Sequence, residues 1–165
     1  MDRPRARKHR LSREDYVGQV RVAFTCCVDE RRKLFVERDI VNEFVEILKV
    51  QCHRHELIIP IYCFMPDHLH VITVGRSYRS DAKSAFDGFK KKSGELLCAK
   101  NLSESMQFSY HDHVIRASHD WRNQVFYILQ NPKRAGLVND VWDYPYTGSI
   151  GCDLKEMVLD TAWWG

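Results

Sequence analysis

The chain has 165 residues, 44% of them apolar and 28% charged, enough for one domain with a hydrophobic core and unlike collagen-like, low-complexity or disordered acidic chains. No apolar run approaches the roughly 20 residues of a membrane span, and no apolar stretch of a secretory signal follows the basic N-terminus, so a cytoplasmic location is expected. The net charge of +3 is uneven, because Arg3, Arg5, Arg7, Lys8, Arg10 and Arg13 against Asp2 put +5 on the first 13 residues and leave −2 on the rest. Any nucleic-acid contact in the folded body must therefore be a local patch, which the basic arm can supplement.

In chain order, Val20, Val22, Phe24 and Thr25 mark a first strand within residues 16–28. Asp39 is a candidate N-cap, and Ile40, Val41, Phe44, Val45 and Leu48 follow with helical spacing to about His55. The strongest β signal runs from Leu57 to Met65 and resumes from His68 to Val74. Pro66-Asp67 between them predicts an antiparallel pair joined by a tight turn. A second helix is expected over Asp81–Lys100, with Lys90, Lys91 and Lys92 on its polar face and Gly94 weakening it. Met106–Ile115 suits a fourth strand. Asp120 can cap a third helix from Trp121 to Asn131, with Pro132 as its stop. Beyond Leu137 the chain reads as irregular, apart from a short helix near Leu154–Leu159. This order predicts an α+β domain, an antiparallel sheet flanked by helices. Cys26, Cys27, Cys52, Cys63, Cys98 and Cys152 contain no C-x-x-C pair and read as free thiols of a reducing compartment.

His68-Leu69-His70 opens a predicted strand, where alternate residues share a face. Two imidazoles about 7 Å apart at the backbone can converge on one ion, with zinc, manganese and harder cations all open. His111-Asp112-His113 repeats the spacing on the fourth strand, where it can support or contact the first pair, build a four-histidine zinc site with it, or simply lie on the surface. In the third helix Trp121, Val125, Ile128 and Leu129 share one apolar arc. Tyr127 and Asn131 stand on another flank, one turn apart. Such a tyrosine is available for chemistry or for solvent, and on the pattern alone a half-exposed tyrosine is the better reading.

Three blocks in order carry a resemblance. Met65-Pro66-Asp67-His68-Leu69-His70-Val71-Ile72 is similar to the His-hydrophobe-His motif of HUH transposases. Tyr110-His111-Asp112-His113-Val114-Ile115-Arg116 and the run from Tyr127 through Asn131 to Gly136-Leu137-Val138 follow at the spacing of the REP-associated tyrosine transposases. The resemblance spans roughly residues 16–146. It implies a ferredoxin-like (RRM-like) HUH nuclease fold over residues 16–147, after a basic arm at 1–15 and before a C-terminal extension at 148–165.

It also implies roles. His68 and His70 would ligate Mg²⁺ or Mn²⁺, Asn131 would complete the metal site, and Tyr127 would be the nucleophile. The substrate would be single-stranded DNA carrying hairpin (REP-like) elements, cleaved and rejoined through a 5′-phosphotyrosine without a nucleotide cofactor. Tyrosine's ordinary pKa near 10 requires the metal or a nearby base to favour the phenolate. Lys90, Lys91, Lys92, His111, His113, Arg116, Lys133 and Arg134 are candidate DNA contacts, and Trp142, Tyr144 and Tyr146 are candidates for packing or base stacking. Related enzymes include monomers and homodimers, so Tyr127 can act in cis or in trans, and a DNA-bound enzyme would sit on the nucleoid. Met106 replaces a frequent tryptophan of the family, and Gly148–Gly165 has no assigned counterpart. The alternatives are a hairpin-binding relative that does not cut, and a metal-dependent phosphodiesterase that uses water.

Overall fold

The structure, a computed structural model, describes residues 11–160 and Ala162. Arg3, Arg5, Arg7, Lys8 and Arg10 of the basic arm lie outside the described residues. Strands β1 (Arg21–Cys27), β2 (Leu57–Met65), β3 (His68–Gly75), β4 (His111–Ile115) and β5 (Thr147–Ile150) alternate with helices α1 (Arg38–Arg54), α2 (Ala82–Ala99), α3 (Ser118–Arg134) and α4 (Leu154–Leu159). The strands form one antiparallel sheet in the order β4-β1-β3-β2-β5. Its first four strands with α1 and α2 make the expected ferredoxin-like unit.

The sheet is covered on both sides. Val22, Phe24, Cys26, Leu69 and Val71 face α1 and α2, whose Phe44, Leu48, Phe86 and Phe89 complete one core. Ile61, Cys63, Met65, Ile72 and Ile115 face the other way and meet Trp121, Val125, Ile128 and Leu129 of α3 with Leu154 and Met157 of α4. All four residues of the predicted α3 arc are buried.

Several boundaries differ from the sequence reading. Residues Arg13–Tyr16 form a 3-10 turn, secured by Ser12 N–H donating to Asp15 at 2.8 Å, so β1 starts later than residue 16. β4 begins only at His111. Before it, Met106 makes a single bridge to Val28, and Lys90 Nζ donates to the carbonyls of Gln107 and Phe108, so no ladder develops there. α3 starts at Ser118, with Ala117 rather than Asp120 as N-cap, and runs through Pro132 to Arg134. β5 had no signal. It pairs Thr147 with Cys63 and Gly148 with Tyr62, so the division drawn after residue 147 falls inside a strand. The buried Leu154 and Met157 make the following segment part of the second core.

Among the described residues no helix is long and apolar enough to cross a membrane. The cysteines are free.

Candidate active site

The site lies on the α3 side of the sheet, where β3 and β1 meet. The β2–β3 hairpin turns through Pro66-Asp67, and His68 and His70 then project from one face of β3 as the strand period requires. Their rings meet edge to face with centroids 4.8 Å apart. Cross-strand register sets Thr25 opposite His70 and Cys27 opposite His68. Thr25 Oγ1 lies 2.9 Å from His70 Nδ1, and Asp67 Oδ1 lies 2.6 Å from His68 Nδ1. With each Nδ1 engaged, Nε2 is the nitrogen left for a further ligand.

Electrostatics favour a neutral His70. Burial, reinforced by the neighbouring His68, Arg134 and Arg31, pushes its pKa down to about 4. Asp67 is held below the usual carboxylate range: burial opposes this, and hydrogen bonds from His68 and Arg31 outweigh it.

Helix α3 carries Tyr127 to the same place. Its buried arc fixes the helix on β2 and β4, which leaves Tyr127 on the flank, 56% exposed. The phenol ring stands 6.4 Å, centroid to centroid, from the His70 ring of the same chain. Arg134 lies over the Tyr127 ring, its guanidinium 4.1 Å from the ring centroid, and donates to the Tyr127 carbonyl at 2.9 Å. Asn131 is half-buried one helical turn beyond Tyr127.

The other candidates divide by face. His111 lies opposite Thr25 and His113 opposite Ala23, on the side of the sheet that carries His70. One strand, β1, separates them from β3, so His111 lies about 10 Å from His70 at the backbone and His113 farther. Among the described residues no group of three or more His, Cys, Asp or Glu side chains can hold an ion, so the four-histidine zinc site does not form. Two imidazoles, with the amide of Asn131 one turn beyond Tyr127 as a candidate third ligand, suit a divalent ion that takes its remaining ligands from water and phosphate oxygens.

The lysine cluster is elsewhere: α2 packs against the opposite core. There Lys90 is spent on the 107–108 carbonyls and Lys92 on Glu95 at 2.7 Å, while Lys91 is exposed. Arg116 pairs with Asp15 at 3.1 Å, and Lys133 is exposed beside Arg134 at the end of α3. Tyr144 is buried and donates to the Phe64 carbonyl at 2.6 Å, and Tyr146 donates to the Val36 carbonyl at 3.2 Å. Both are therefore packing residues. Trp142 is 39% exposed under the Lys155 ammonium, 5.2 Å from its ring centroid.

Residues 16–126 match the family described as Transposase IS200 like. The chain belongs to the IS200-like transposases. The match ends one residue before Tyr127, so the tyrosine's placement rests on the geometry above. A Haemophilus influenzae protein named as a REP-associated tyrosine transposase is 26% identical over 93% of this chain and 92% of its own length. The REP-associated tyrosine transposase of Escherichia coli K12 is 31% identical over 61% of this chain and 59% of its own length. A solved REP-associated tyrosine transposase bound to a REP hairpin superposes with a TM-score of 0.72 at 23% identity, covering 86% of this chain and 82% of that one. That likeness establishes the fold of this IS200-like transposase.

The sequence pattern read Thr25 only as part of a strand and Asp67 only as a turn former, and it did not single out Arg31. Cross-strand register brings Thr25 to His70 and the folding of a loop brings Arg31 to Asp67, and neither is written in local spacing.

Proposed function

We propose that this IS200-like transposase cleaves and rejoins single-stranded, hairpin-bearing DNA with Tyr127 as its nucleophile. The observation that carries the reading is the approach of Tyr127 to the His68–His70 pair within a single chain. In the proposed reaction the Tyr127 oxygen, having lost its proton, attacks the scissile phosphorus. The Oη–P bond forms as the bond from phosphorus to the 3′ oxygen breaks. The 3′ oxygen leaves and takes up a proton, giving a 5′-phosphotyrosine and a free 3′-hydroxyl. Bond energy is conserved, so attack by a 3′-hydroxyl reverses the step and rejoins a strand.

His68 and His70 through Nε2, with Asn131, would hold Mg²⁺ or Mn²⁺. When bound, such an ion polarises the phosphate and stabilises the charge that develops on it. The chain's own groups do the rest. Burial keeps His70 neutral and able to donate a nitrogen lone pair. Arg134, over the Tyr127 ring, steadies the phenol and would add positive charge beside the incoming phosphate, and Lys133 extends that charge along the end of α3. His111 and His113 lie on the same sheet face, where a strand leaving the site can reach them. The hairpin partner is suggested by the DNA bound to the structural relative. Function on cytoplasmic or nucleoid DNA follows from that substrate.

The test is a denaturing gel. Wild-type protein with Mg²⁺ or Mn²⁺ and a hairpin oligonucleotide should give a covalent protein–DNA adduct, and Tyr127→Phe should give none while binding the oligonucleotide with unchanged affinity. Wild-type levels of adduct in the variant would remove Tyr127 as nucleophile. Cleavage without any adduct would point to water as the attacking group, and binding with neither would leave a hairpin-binding protein.

A further inference from the structure

We infer that Arg31, acting through Asp67, is a positioning residue for His68: it fixes the carboxylate that holds the imidazole by Nδ1 and so presents Nε2 to a divalent cation. The inference rests on the metal-ligand reading of His68. Its geometry is a continuous chain of contacts. Arg31 Nε donates to Asp67 Oδ2 at 2.9 Å, and Asp67 Oδ1 lies 2.6 Å from His68 Nδ1. A second nitrogen of the same guanidinium donates to Cys27 Sγ at 2.9 Å, and Cys27 is the residue directly opposite His68 in the sheet. The planar fork of arginine thus ties together the strand and the turn that flank the imidazole.

The backbone that delivers Arg31 is unusual. Glu30 and Arg31 have φ of 53° and 56°, two successive non-glycine residues in the left-handed region. Each such residue costs on the order of 1–2 kcal/mol. The loop is nevertheless held firmly to the hairpin turn. Val28 N–H donates to the Asp67 carbonyl at 2.9 Å, and Leu34 and Phe35 N–H donate to the Pro66 carbonyl at 2.9 and 3.0 Å. An ion pair whose arginine side chain is 54% exposed contributes little to stability, so stability alone does not account for two strained residues. Strain that the surrounding structure holds in place is a mark of functional sites. Here its consequence is an aimed imidazole. A carboxylate on one ring nitrogen selects the tautomer whose other nitrogen is a free acceptor, the arrangement in which partners behind metal-ligating histidines orient them.

The experiment compares wild type with Arg31→Met, which keeps the aliphatic stem, and with Arg31→Gln should the methionine variant not fold. In metal-free protein, long-range ¹H–¹⁵N correlation spectra report the His68 tautomer. Wild type should show Nδ1 protonated and the variant a mixture. Mn²⁺ titration followed by calorimetry should show affinity reduced by about 10-fold or more in the variant. A variant that keeps both the wild-type tautomer and the wild-type Mn²⁺ affinity overturns the inference. If wild type itself binds no Mn²⁺, the metal reading falls. The tautomer spectrum then decides the positioning role by itself, an unchanged spectrum refuting it and a mixed one sustaining it.

Discussion

The proposed role of His70 as a nitrogen ligand requires an unprotonated ring, and its surroundings favour that form. Burial first, then the charges of His68, Arg134 and Arg31, lower its pKa from the ordinary 6.5 to about 4. The sign of the linkage follows. Between pH 6.5 and 4 the unfolded chain takes up a proton that folded His70 refuses, so stability falls as pH drops through that window and the contribution levels off below it. In chelator-treated protein the full effect should approach roughly 3 kcal/mol. Urea denaturation of wild type and His70→Gln at several pH values isolates it: the difference between the two curves should change across that window, and parallel curves would refute the assignment. Legibility at this scale was partial. His68, His70 and Tyr127 stand out in the sequence as a strand pair and a phenol off an apolar arc. Thr25 and Arg31 do not, because Thr25 reaches His70 only through the β1–β3 register and Arg31 reaches Asp67 only through a left-handed turn. Lys90 shows the same limit: on a polar helix face it reads as a phosphate contact, and the loop carbonyls it bonds come only from the fold.

Elements that bury both faces announced themselves, and those held by neighbours did not. β2 and β3 are dense in apolar residues because helices cover the sheet on both sides, and their bounds match the expectation within a residue. β5 reads Thr-Gly-Ser-Ile and has no such pattern. It is a strand because β2 offers an open edge and because Gly148 allows close approach, a Cβ there falling 2.4 Å from Tyr62 Oη. Pro132 did not stop α3, since the missing N–H removes one bond and the rest of the last turn is still closed from beyond the helix. Leu137 N–H donates to the Pro132 carbonyl at 2.9 Å and Gly136 N–H to the Lys133 carbonyl at 3.0 Å, a Schellman termination with Gly136 at φ +74°. That termination keeps Arg134 within reach of Tyr127. A Cβ on Gly136 would meet no atom within 4 Å, so Gly136→Ala tests the backbone conformation alone. It should destabilise the protein by about 1 kcal/mol in a urea melt. No loss of stability would mean the left-handed conformation is not required.

At the scale of the whole molecule, the packing of α3 bears on whether Tyr127 meets the histidines of its own chain. The resemblance leaves action in cis and in trans both open. Here α3 is not a detached arm. Its Trp121, Val125, Ile128 and Leu129 are buried with Ile61, Met65, Ile72 and Ile115 of the same sheet, and α4 closes the cluster from the side. Detaching α3 from the sheet would uncover these four side chains, each of which gains on the order of 1.5–3 kcal/mol from burial, so α3 leaves its own sheet only in exchange for a partner's α3. The fold of a single chain already brings the His70 and Tyr127 rings together, and on the proposed mechanism this predicts action in cis. Mixing Tyr127→Phe protein with His68→Ala protein tests this without knowledge of the oligomeric state. Each variant lacks a different half of the site, so an enzyme acting in cis gives no more adduct in the mixture than the two variants give apart. An enzyme acting in trans pairs the intact tyrosine of one chain with the intact histidines of the other, and adduct returns. Recovery after co-refolding the two variants, which lets subunits exchange fully, would overturn the cis assignment.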